Sequence, residues 1–360
     1  MKPLIVKGID SLEFGLDIEN YLSSMNEFLA RFKELKEAAQ LEGKEQEILI
    51  GDVNLSVHRN GIPFHAFKLT CNDFSICFMD KEIQDNPPIK VRLMACYLWS
   101  FGYEKAFENF MEWFKAFNVI VTGNRVSRVD PCVDTDEAAF VESDLKGIVT
   151  RARKRRKHFV TDEFSEGKKF SGFTIGGGGP LLARIYNKSL EIKRSGKFWF
   201  YTVWENNGWN CAKMVWRTEF QLRREVLKEF GIDTVKDILA KLDGLWAYLT
   251  GEWLVIKKPD VENVTRWKVK RKWQLIQKST YGFNTSPLIR EAVKIGNINR
   301  LLNQAAGIVL SIATLADHNL INDTTNVLTT WTNLKLEQKQ TSLSNEKERR
   351  RKKYISESIS

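Results

Sequence analysis

Three short segments of the chain alternate charged with apolar residues, and this alternation constrains the fold more than any other feature. The segments are Arg128–Asp134, Arg184–Lys188 and Arg217–Arg223. Each reads as a β-strand, in which side chains two positions apart share a face. Each segment therefore places its charged residues on one face and its apolar residues on the other. The apolar face carries Val129, Val133, Ile185, Phe220 and Leu222.

The charged face is unusual for a half-buried sheet. It carries Asp130, Asp134, Arg184, Tyr186, Lys188, Arg217, Glu219 and Arg223. Taking carboxylates, cations and a phenol out of water costs free energy unless they pair with one another. A sheet that keeps such a set is expected to use it, so the pattern predicts an active site on this face.

The rest of the chain predicts an α+β fold, with an antiparallel sheet and helices packed on one of its faces. Alternating residues predict two or three strands at about 47–80, and helical spacing predicts helices at about 20–39, 103–117, 142–158 and 233–249. Five turn-forming residues, Gly176–Pro180, separate two strand-like runs and predict a hairpin. No internal repeat is visible in the sequence.

Three regions of the chain differ in composition. Residues 1–250 hold the charged segments and are predicted to form the catalytic domain. Residues 251–340 are basic and rich in aromatic residues, and we expect them to be mostly helical. Residues 341–360 contain a run of arginine and lysine between polar residues and are predicted to be a disordered basic tail.

The net charge of the chain indicates a polyanionic partner. Its 360 residues carry a formal net charge of +10, and the pI is about 9.2. Nucleic acid is the first candidate for this partner, and an anionic membrane surface is the second. No apolar run approaches the roughly 20 residues needed to span a bilayer, and the N-terminus is too polar for a signal peptide. We therefore expect a cytoplasmic protein that does not insert into a membrane.

The metal ligands that the sequence offers are carboxylates. Five cysteines without paired spacing and four scattered histidines argue against a disulfide framework and against a zinc site. Asp130, Asp134 and Glu219 would supply three hard oxygen ligands on one face, which suits Mg²⁺ or Mn²⁺. The alternative is a strand end with solvated acids. Because aspartate is disfavoured in strands, we favour the metal site.

Tyr186 lies between Arg184 and Lys188 on the charged face. It can be an ordinary tyrosine at a sheet edge, but two neighbouring cations would also favour its phenolate form. The same cations would bind a phosphodiester. A tyrosine, cationic phosphate ligands and a divalent metal together are what a covalent attack on DNA requires.

A basic cluster has six cations in seven residues, and it is predicted to end the helix at 142–158. Its cations are Arg151, Arg153, Lys154, Arg155, Arg156 and Lys157. A solvated helix face is the usual explanation of such a run, but cations all round a helix end favour contact with DNA phosphates. Further along, Trp267 and Trp273 alternate with lysines. They fit a core helix and base stacking on unpaired DNA equally well.

These segments resemble those of the trans-acting rolling-circle replication initiators. The resemblance rests on Arg128-Val-Asp130-Pro-Cys132-Val-Asp134, on Arg184-Ile-Tyr186-Asn187-Lys188 after a glycine-rich turn, and on Arg217-Thr-Glu219 with Arg223 beyond. It covers roughly residues 45–250 and keeps the order of the family. The C-terminal third of the chain aligns with no feature of that family.

The resemblance implies a DNA strand transferase in which the residue matching Tyr186 is the nucleophile. Such proteins bind origin DNA as dimers, nick one strand at an extruded hairpin and stay joined to its 5′-phosphate. The free 3′-OH primes synthesis, a host helicase unwinds the DNA, and the strand is rejoined. The family uses a divalent metal. Arg184 and Lys188 would offset charge on the transition state, while Arg128, Arg217 and Arg223 would anchor flanking phosphates or orient the carboxylates.

A second interpretation belongs to another class of function. The chain would be a non-catalytic basic DNA-binding regulator of a phage or plasmid, and its charged sheet would only bind phosphates. Metal-dependent nicking of DNA distinguishes the two interpretations. Attachment to an anionic membrane is a third and weaker interpretation, because the basic tail has no apolar face.

Overall fold

The computed structural model describes residues 4–161, 168–279, 302 and 305–351. The fold is α+β, as predicted, and is built on an antiparallel sheet of 11 strands. The strands of the chain are β1 (Ile5–Ile18), β2 (Gln46–Ile50), β3 (Val53–Val57), β4 (Phe67–Thr70), β5 (Phe74–Phe78), β6 (Ile89–Leu93), β7 (Val121–Thr135), β8 (Ile148–Thr150), β9 (Arg155–Thr161), β10 (Lys168–Ile175), β11 (Leu181–Asn187), β12 (Trp216–Arg223) and β13 (Leu254–Ile256).

The helices lie between and after these strands. They are α1 (Tyr21–Ser24), α2 (Asn26–Glu42), α3 (Ala95–Phe101), α4 (Tyr103–Phe114), α5 (Lys188–Ser195), α6 (Trp199–Glu205), α7 (Arg224–Glu229), α8 (Val235–Tyr248), α9 (Arg271–Gln277), α10 (residues 305–315), α11 (Ile321–Gln338) and α12 (Leu343–Arg351). None of the helices in the described ranges has both the length and the hydropathy needed to cross a membrane.

Two long strands form the centre of the large sheet. The strand order is β2-β3-β4-β5-β6-β1-β7-β12-β11-β10-β9, and β8 pairs with β13 in a separate two-stranded sheet. β1 and β7 pair antiparallel from Ile5 opposite Thr135 to Ile18 opposite Val121. The register shifts at several points along this pairing, so β1 bulges between Ile9 and Leu12.

The apolar face of the sheet forms the core, as its alternation predicts. Val129, Val133, Ile185, Phe220 and Leu222 are all buried in one hydrophobic cluster. Aromatic residues of α4 and α8 complete that cluster, and edge-to-face contacts join Phe14 to Phe110 and Phe220 to Trp246. The polar side chains of the strands lie on the opposite face, where Trp204 of α6 contacts Asp134 and Trp99 of α3 contacts Arg217.

The predicted helix at 142–158 is wrong. Residues 142–147 form a short 3₁₀ turn, and the strands Ile148–Thr150 and Arg155–Thr161 follow it. β-branched residues such as Ile148, Val149 and Thr150 favour strands, and the basic cluster supplies no apolar stripe that would hold a helix against the core. The region at 47–80 contains four strands where two or three were predicted. The helices predicted near 20–39, 103–117 and 233–249 are confirmed.

Residues beyond 250 contribute to the same core. Trp253, Leu254, Trp273 and Ile276 are buried in the main hydrophobic cluster. The chain divides into two compact units, the first of residues 1–195 and 204–287 and the second of residues 196–203 and 288–360.

The second unit is helical where the structure describes it. Within it, His318 Nδ1 lies 3.1 Å from the hydroxyl of Thr324 in α11. Within residues 341–360, predicted to be a disordered tail, Leu343–Arg351 form helix α12. Residues 352–360, and 280–301 of the stretch predicted to be helical, lie outside the described residues.

Candidate active site

Strand register assembles the candidate site across β11, β12, β7 and β1. Tyr186 lies opposite Arg217, which lies opposite Asp134. One pair further along, Arg184 lies opposite Glu219. Opposed residues share a face, so the predicted carboxylates, cations and tyrosine do lie on one side of the sheet.

The Tyr186 hydroxyl donates a hydrogen bond to Glu219 Oε2 at 3.1 Å. Burial, reinforced by the negative charge of Glu219, raises the pKa of Tyr186 well above its usual value. The positive charge of Arg217 lowers the pKa of Tyr186, but by less than burial and Glu219 raise it. The prediction that neighbouring cations favour the phenolate is therefore wrong, and Tyr186 is a neutral phenol with a carboxylate acceptor in place.

Arg184 reaches across to β12 and holds the same carboxylate. Its guanidinium donates to Glu219 Oε1 at 2.7 Å and to Gln221 Oε1 at 3.0 Å. The Arg184 side chain remains 38% exposed, whereas that of Glu219 is 4% exposed. Glu219 is thus fixed between Tyr186 and Arg184, and Arg184 is the member of this trio that faces solvent.

Lys188 begins α5, directly after β11, and turns inward. Its ammonium pairs with Glu191 one helical turn later and lies 5.8 Å from the centre of the Tyr186 ring. Burial, reinforced by Arg217, lowers the pKa of Lys188. With its side chain almost fully covered, Lys188 packs against the tyrosine ring, and the predicted direct contact with a phosphate does not fit this arrangement.

Arg217 is the buried anchor of the site. Its guanidinium binds both oxygens of Asp134, at 2.6 and 2.8 Å, and Asp10 at 2.5 Å. Its Cζ lies 5.4 Å from the centre of the Trp99 ring. Burial disfavours the charged guanidinium of Arg217, but the negative charge of Asp134 outweighs the effect of burial. The pKa of Arg217 is therefore raised well above its usual value. Of the two predicted roles, orienting carboxylates fits this geometry and anchoring a phosphate does not.

Arg128 and Asp130 form a second arginine–carboxylate pair on the same face. Arg128 Nε donates to Asp130 Oδ1 at 2.8 Å, its Nη2 donates to the other oxygen, and its Nη1 donates to Glu13 at 3.3 Å. Burial raises the pKa of Asp130 to about 7, since the opposing effect of Arg128 is offset in part by Glu219 and Asp10.

The predicted metal ligands do not form a ready cation site. Both oxygens of Asp134 are taken by Arg217, and Trp204 donates to one of them at 3.0 Å. Both oxygens of Asp130 and both oxygens of Glu219 accept hydrogen bonds as well. Among the described residues, no group of three or more histidine, cysteine, aspartate or glutamate side chains could hold a metal ion. The trio therefore does not fit Mg²⁺ or Mn²⁺ as predicted.

The basic cluster is divided by the geometry of an edge strand. Arg151, Arg153 and Lys154 line an open cleft of about 500 Å³ beside the Gly176–Pro180 turn. In β9, Arg156 lies opposite Thr174, which lies opposite Arg184, so Arg156 is on the site face. The neighbouring residues Arg155 and Lys157 line a different cleft, where Lys157 pairs with Glu142 at 2.5 Å.

Arg223 and the two tryptophans have contrasting positions. Arg223 is exposed and lies opposite Arg128 at the end of β12. Trp273 is fully buried and donates to the carbonyl of Thr250 at 2.9 Å, so base stacking is wrong for it and the core interpretation is confirmed. Trp267 is partly exposed and donates to the carbonyl of Val261, and its stacking role stays a prediction.

Three residues of the site were not predicted from the sequence. Gln221 and Asp10 complete the hydrogen bonding of Arg184 and Arg217. Gly172 lies opposite Tyr186, where a Cβ atom would come within 2.3 Å of the Ile185 carbonyl oxygen. Gln221 could have been predicted, because it follows Glu219 by two residues and so shares the charged face. Asp10 and Gly172 could not, because their contacts depend on strand register.

His158 is a further residue that the sequence did not single out. His158 is on β9, opposite Gly172 of β10, and its Nε2 lies 2.7 Å from the hydroxyl of Thr174. Burial, with Arg156 and Arg184 adding to it, lowers the pKa of His158. The site face therefore continues past Tyr186 to the edge strand.

Comparisons with known proteins add a weak structural likeness. No family model matches the chain, and none of the curated proteins matches it. Among solved structures, a similar one is described as the rolling circle replication initiator protein from Geobacillus stearothermophilus. The two chains are 16% identical, the match covers 76% of this chain and 95% of the other, and the TM-score is 0.43. A likeness at that TM-score and identity carries no inference about function or residue roles.

Proposed function

We propose that the protein initiates rolling-circle replication by nicking one DNA strand at an origin and later rejoining it, with Tyr186 as the nucleophile. The observation that carries the proposal is the hydrogen bond from the Tyr186 hydroxyl to Glu219, whose other oxygen is bound by the solvent-facing Arg184. A nucleophile bound to a base that a third group orients is the usual arrangement in covalent catalysis. The net charge of +10 supplies the attraction to DNA.

The proposed nicking step uses the side chains of this trio. The Tyr186 oxygen attacks the scissile phosphorus while its proton passes to Glu219 Oε2. The bond from phosphorus to the 3′-oxygen breaks, and the departing 3′-oxygen takes a proton from water. The products are a 5′-phosphotyrosine and a free 3′-OH. Rejoining reverses these steps, and because the phosphodiester energy is kept in the covalent link, no ATP is consumed.

Arg184 is the residue placed to stabilise the transition state. Its guanidinium is partly exposed beside the tyrosine, so a phosphate oxygen can bind it without a large rearrangement. Lys188 and Arg217 position other side chains of the site and do not contact the DNA. Lys188 packs on the tyrosine ring, and Arg217 holds Asp134 beneath the site.

A divalent metal remains part of the proposal without a role in the steps above. The resemblance implies Mg²⁺ or Mn²⁺, but the oxygens of Asp130, Asp134 and Glu219 already accept hydrogen bonds from arginine, tryptophan or tyrosine side chains. The requirement for a metal is tested by nicking of an origin plasmid in the presence of EDTA, followed by addition of Mg²⁺ or Mn²⁺ in turn. Three partners are likewise proposals that rest on the resemblance: origin DNA with a hairpin or a single-stranded nick site, a host helicase, and a second copy of the chain in a homodimer. The cytoplasmic location is a proposal that rests on the sequence.

The substitution Tyr186→Phe tests the nucleophile. On a supercoiled plasmid that carries the cognate origin, we expect the variant to bind DNA as the wild type does but to lose nicking by at least about a thousandfold, since phenylalanine cannot form the covalent link. Denaturing gels should show a protein–DNA adduct for the wild type only. Tyr201→Phe is the control.

Two outcomes would contradict the proposal. An adduct that persists in the Tyr186→Phe variant would place the nucleophile on another tyrosine. A wild-type protein that binds DNA but yields neither open circles nor an adduct with any divalent ion would favour the non-catalytic regulator of a phage or plasmid.

A further inference from the structure

The two halves of the large sheet share the order of their paired strands, although the first half has six strands and the second has five. In the first half, the long strand β1 is followed by a series of antiparallel strands whose last member, β6, pairs with β1. In the second half, β7 is followed by a similar series whose last member, β12, pairs with β7. A short helix and a longer one follow each last strand, as α3 and α4 or as α7 and α8. Since β1 and β7 pair antiparallel, a pseudo-twofold axis relates the halves.

Register gives the equivalent positions in the two halves. Leu93 of β6 pairs with Leu12 of β1, as Leu222 of β12 pairs with Val129 of β7. Counting back from these pairs, Arg92 takes the place of Gln221, and Lys90 takes the place of Glu219. Cys77 lies opposite Lys90, as Arg184 lies opposite Glu219, and Met79 takes the place of Tyr186.

The first half therefore has the framework of the candidate site without its chemistry. The position of the proton acceptor carries a lysine, and the position of the nucleophile carries a methionine. In exchange, this part of the face gains positive charge.

The charges of this region are unbalanced. Glu13 is the shared partner of Lys90 at 3.1 Å, Arg128 at 3.3 Å and Arg92 at 3.9 Å. One carboxylate thus serves three cations, and Asp130 balances only Arg128. The side chains of Lys90 and Arg92 are 38% and 45% exposed, so a ligand can reach both.

These cations form a band across four adjacent strands. It runs from Lys90 and Arg92 on β6, past Glu13 on β1, to Arg128 on β7 and the opposed Arg223 on β12. At about 4.8 Å between strands, the band spans roughly 15 Å. The next strand after β12 is β11, which carries Tyr186. On that strand, Tyr186 lies opposite Arg217, which is six residues from Arg223 along β12. The band therefore ends on the face that carries the nucleophile, about 20 Å from it along the strand direction.

We propose that the first half of the sheet is a degenerate copy of the catalytic half, and that Lys90 and Arg92 bind the backbone of the single DNA strand presented to Tyr186. The proposal deepens the proposed function and rests on it for the identity of the strand. Charge complementarity and a position on the same face of the sheet as Tyr186 support this occupant. A single strand, and not a duplex, is the form that lets one phosphate reach a partly buried tyrosine.

Salt dependence of binding tests the proposal directly. The probe is a fluorescent oligothymidylate, and its Kd is measured against NaCl concentration for the full chain in the Tyr186→Phe background, so no cleavage interferes. For Lys90→Gln with Arg92→Gln, we expect the slope of log K against log salt to fall by about 1.4, or about 0.7 per lost phosphate contact. At about 0.15 M salt, this corresponds to a Kd roughly tenfold weaker.

A matched pair of exposed cations provides the control. Arg31→Gln with Lys33→Gln on α2 removes the same net charge from a surface away from the band. This control should leave the slope nearly unchanged, and Lys90→Arg with Arg92→Lys should retain it. Equal losses in both glutamine variants would overturn the proposal, as would a loss confined to duplex DNA.

The test separates this inference from the proposed function. Binding is measured without catalysis, so a wild type that fails to nick would remove the proposed function and leave the binding result standing. Because glutamine keeps much of the side-chain stem, folding should survive. A melting curve for each variant checks this, and a misfolded glutamine variant would be replaced by the single substitutions, which must each lower the slope.

Discussion

Two aspartates of one short motif perform different tasks in this site. Asp134 binds a guanidinium that is completely buried, and it shares that guanidinium with Asp10. Asp130 binds Arg128, whose side chain is 21% exposed and has Glu13 as a second partner. Removing Asp134 would therefore leave a buried charge undercompensated, whereas removing Asp130 would leave a cation that Glu13 and water can satisfy.

The paired substitutions Asp134→Asn and Asp130→Asn should separate these tasks. We expect Asp134→Asn to lower the free energy of unfolding by about 3 kcal/mol, as for one partner of a buried ion pair. Asp130→Asn should cost less than half as much. Urea unfolding of the two variants measures the difference. Equal losses would show that Asp134 does not have the structural role inferred from its contacts.

The composition of the site could be predicted from the sequence, but its pairings could not. Alternation within each strand is enough to place Tyr186 and Glu219 on the charged face. The partner of Arg217, by contrast, includes a residue 207 positions away in the chain. That pairing depends on the register of three strands and on a bulge in β1, and none of these has a local signal. The mistaken phenolate has the same origin, since the hydrogen bond from Tyr186 to Glu219 joins two strands.

At the scale of the element, the basic cluster is the clearest case of tertiary context deciding secondary structure. Six cations in seven residues give neither a helical nor a strand period, so the helix was predicted from the residues that flank the cluster. In the structure, β9 is an edge strand of the large sheet. Charged side chains on an edge strand discourage pairing with another chain, so this run can also protect the edge.

Alternation along β9 predicts that neighbouring cations differ in function. Arg156 is on the face of Tyr186, and Lys157 points to the other side and pairs with Glu142. We expect Arg156→Gln to weaken binding of a single-stranded oligonucleotide several-fold and Lys157→Gln to change it little, although both remove one charge. Fluorescence anisotropy at fixed salt compares them. An equal loss in both variants would mean that the cluster acts only through total charge.

At the scale of the whole molecule, the fold class follows from the sequence, but the twofold relation between the halves does not. The sequence shows no repeat, and equivalent positions of the two halves hold residues as different as Met79 and Tyr186. What the halves share is strand order, which is set by long-range pairing. The C-terminal limit of the core could not be predicted either. The composition of the chain changes near residue 250, but residues beyond it pack in the same core.

Asp144 links residues 270–272, near the end of the main core, to the preceding part of the chain. It is completely buried and accepts hydrogen bonds from Lys270 at 2.6 Å and Lys272 at 2.5 Å. Burial alone would raise its pKa, but these two lysines outweigh it, so the pKa of Asp144 is lowered. A carboxylate whose pKa is lower in the folded chain stabilises it above the unfolded pKa, near 4, and loses that effect as the pH falls through the folded value.

The substitution Asp144→Asn should therefore destabilise the protein in a pH-dependent way. At pH 7, we expect a loss of about 2–3 kcal/mol, because two charge-assisted hydrogen bonds are removed from a buried site. Below about pH 4, the difference from the wild type should shrink, because the wild-type carboxyl also becomes protonated. Urea unfolding across this range measures both effects, with the exposed Asp260→Asn as the control. A difference that stays constant down to pH 3 would mean that Asp144 stabilises the core by shape and not by charge.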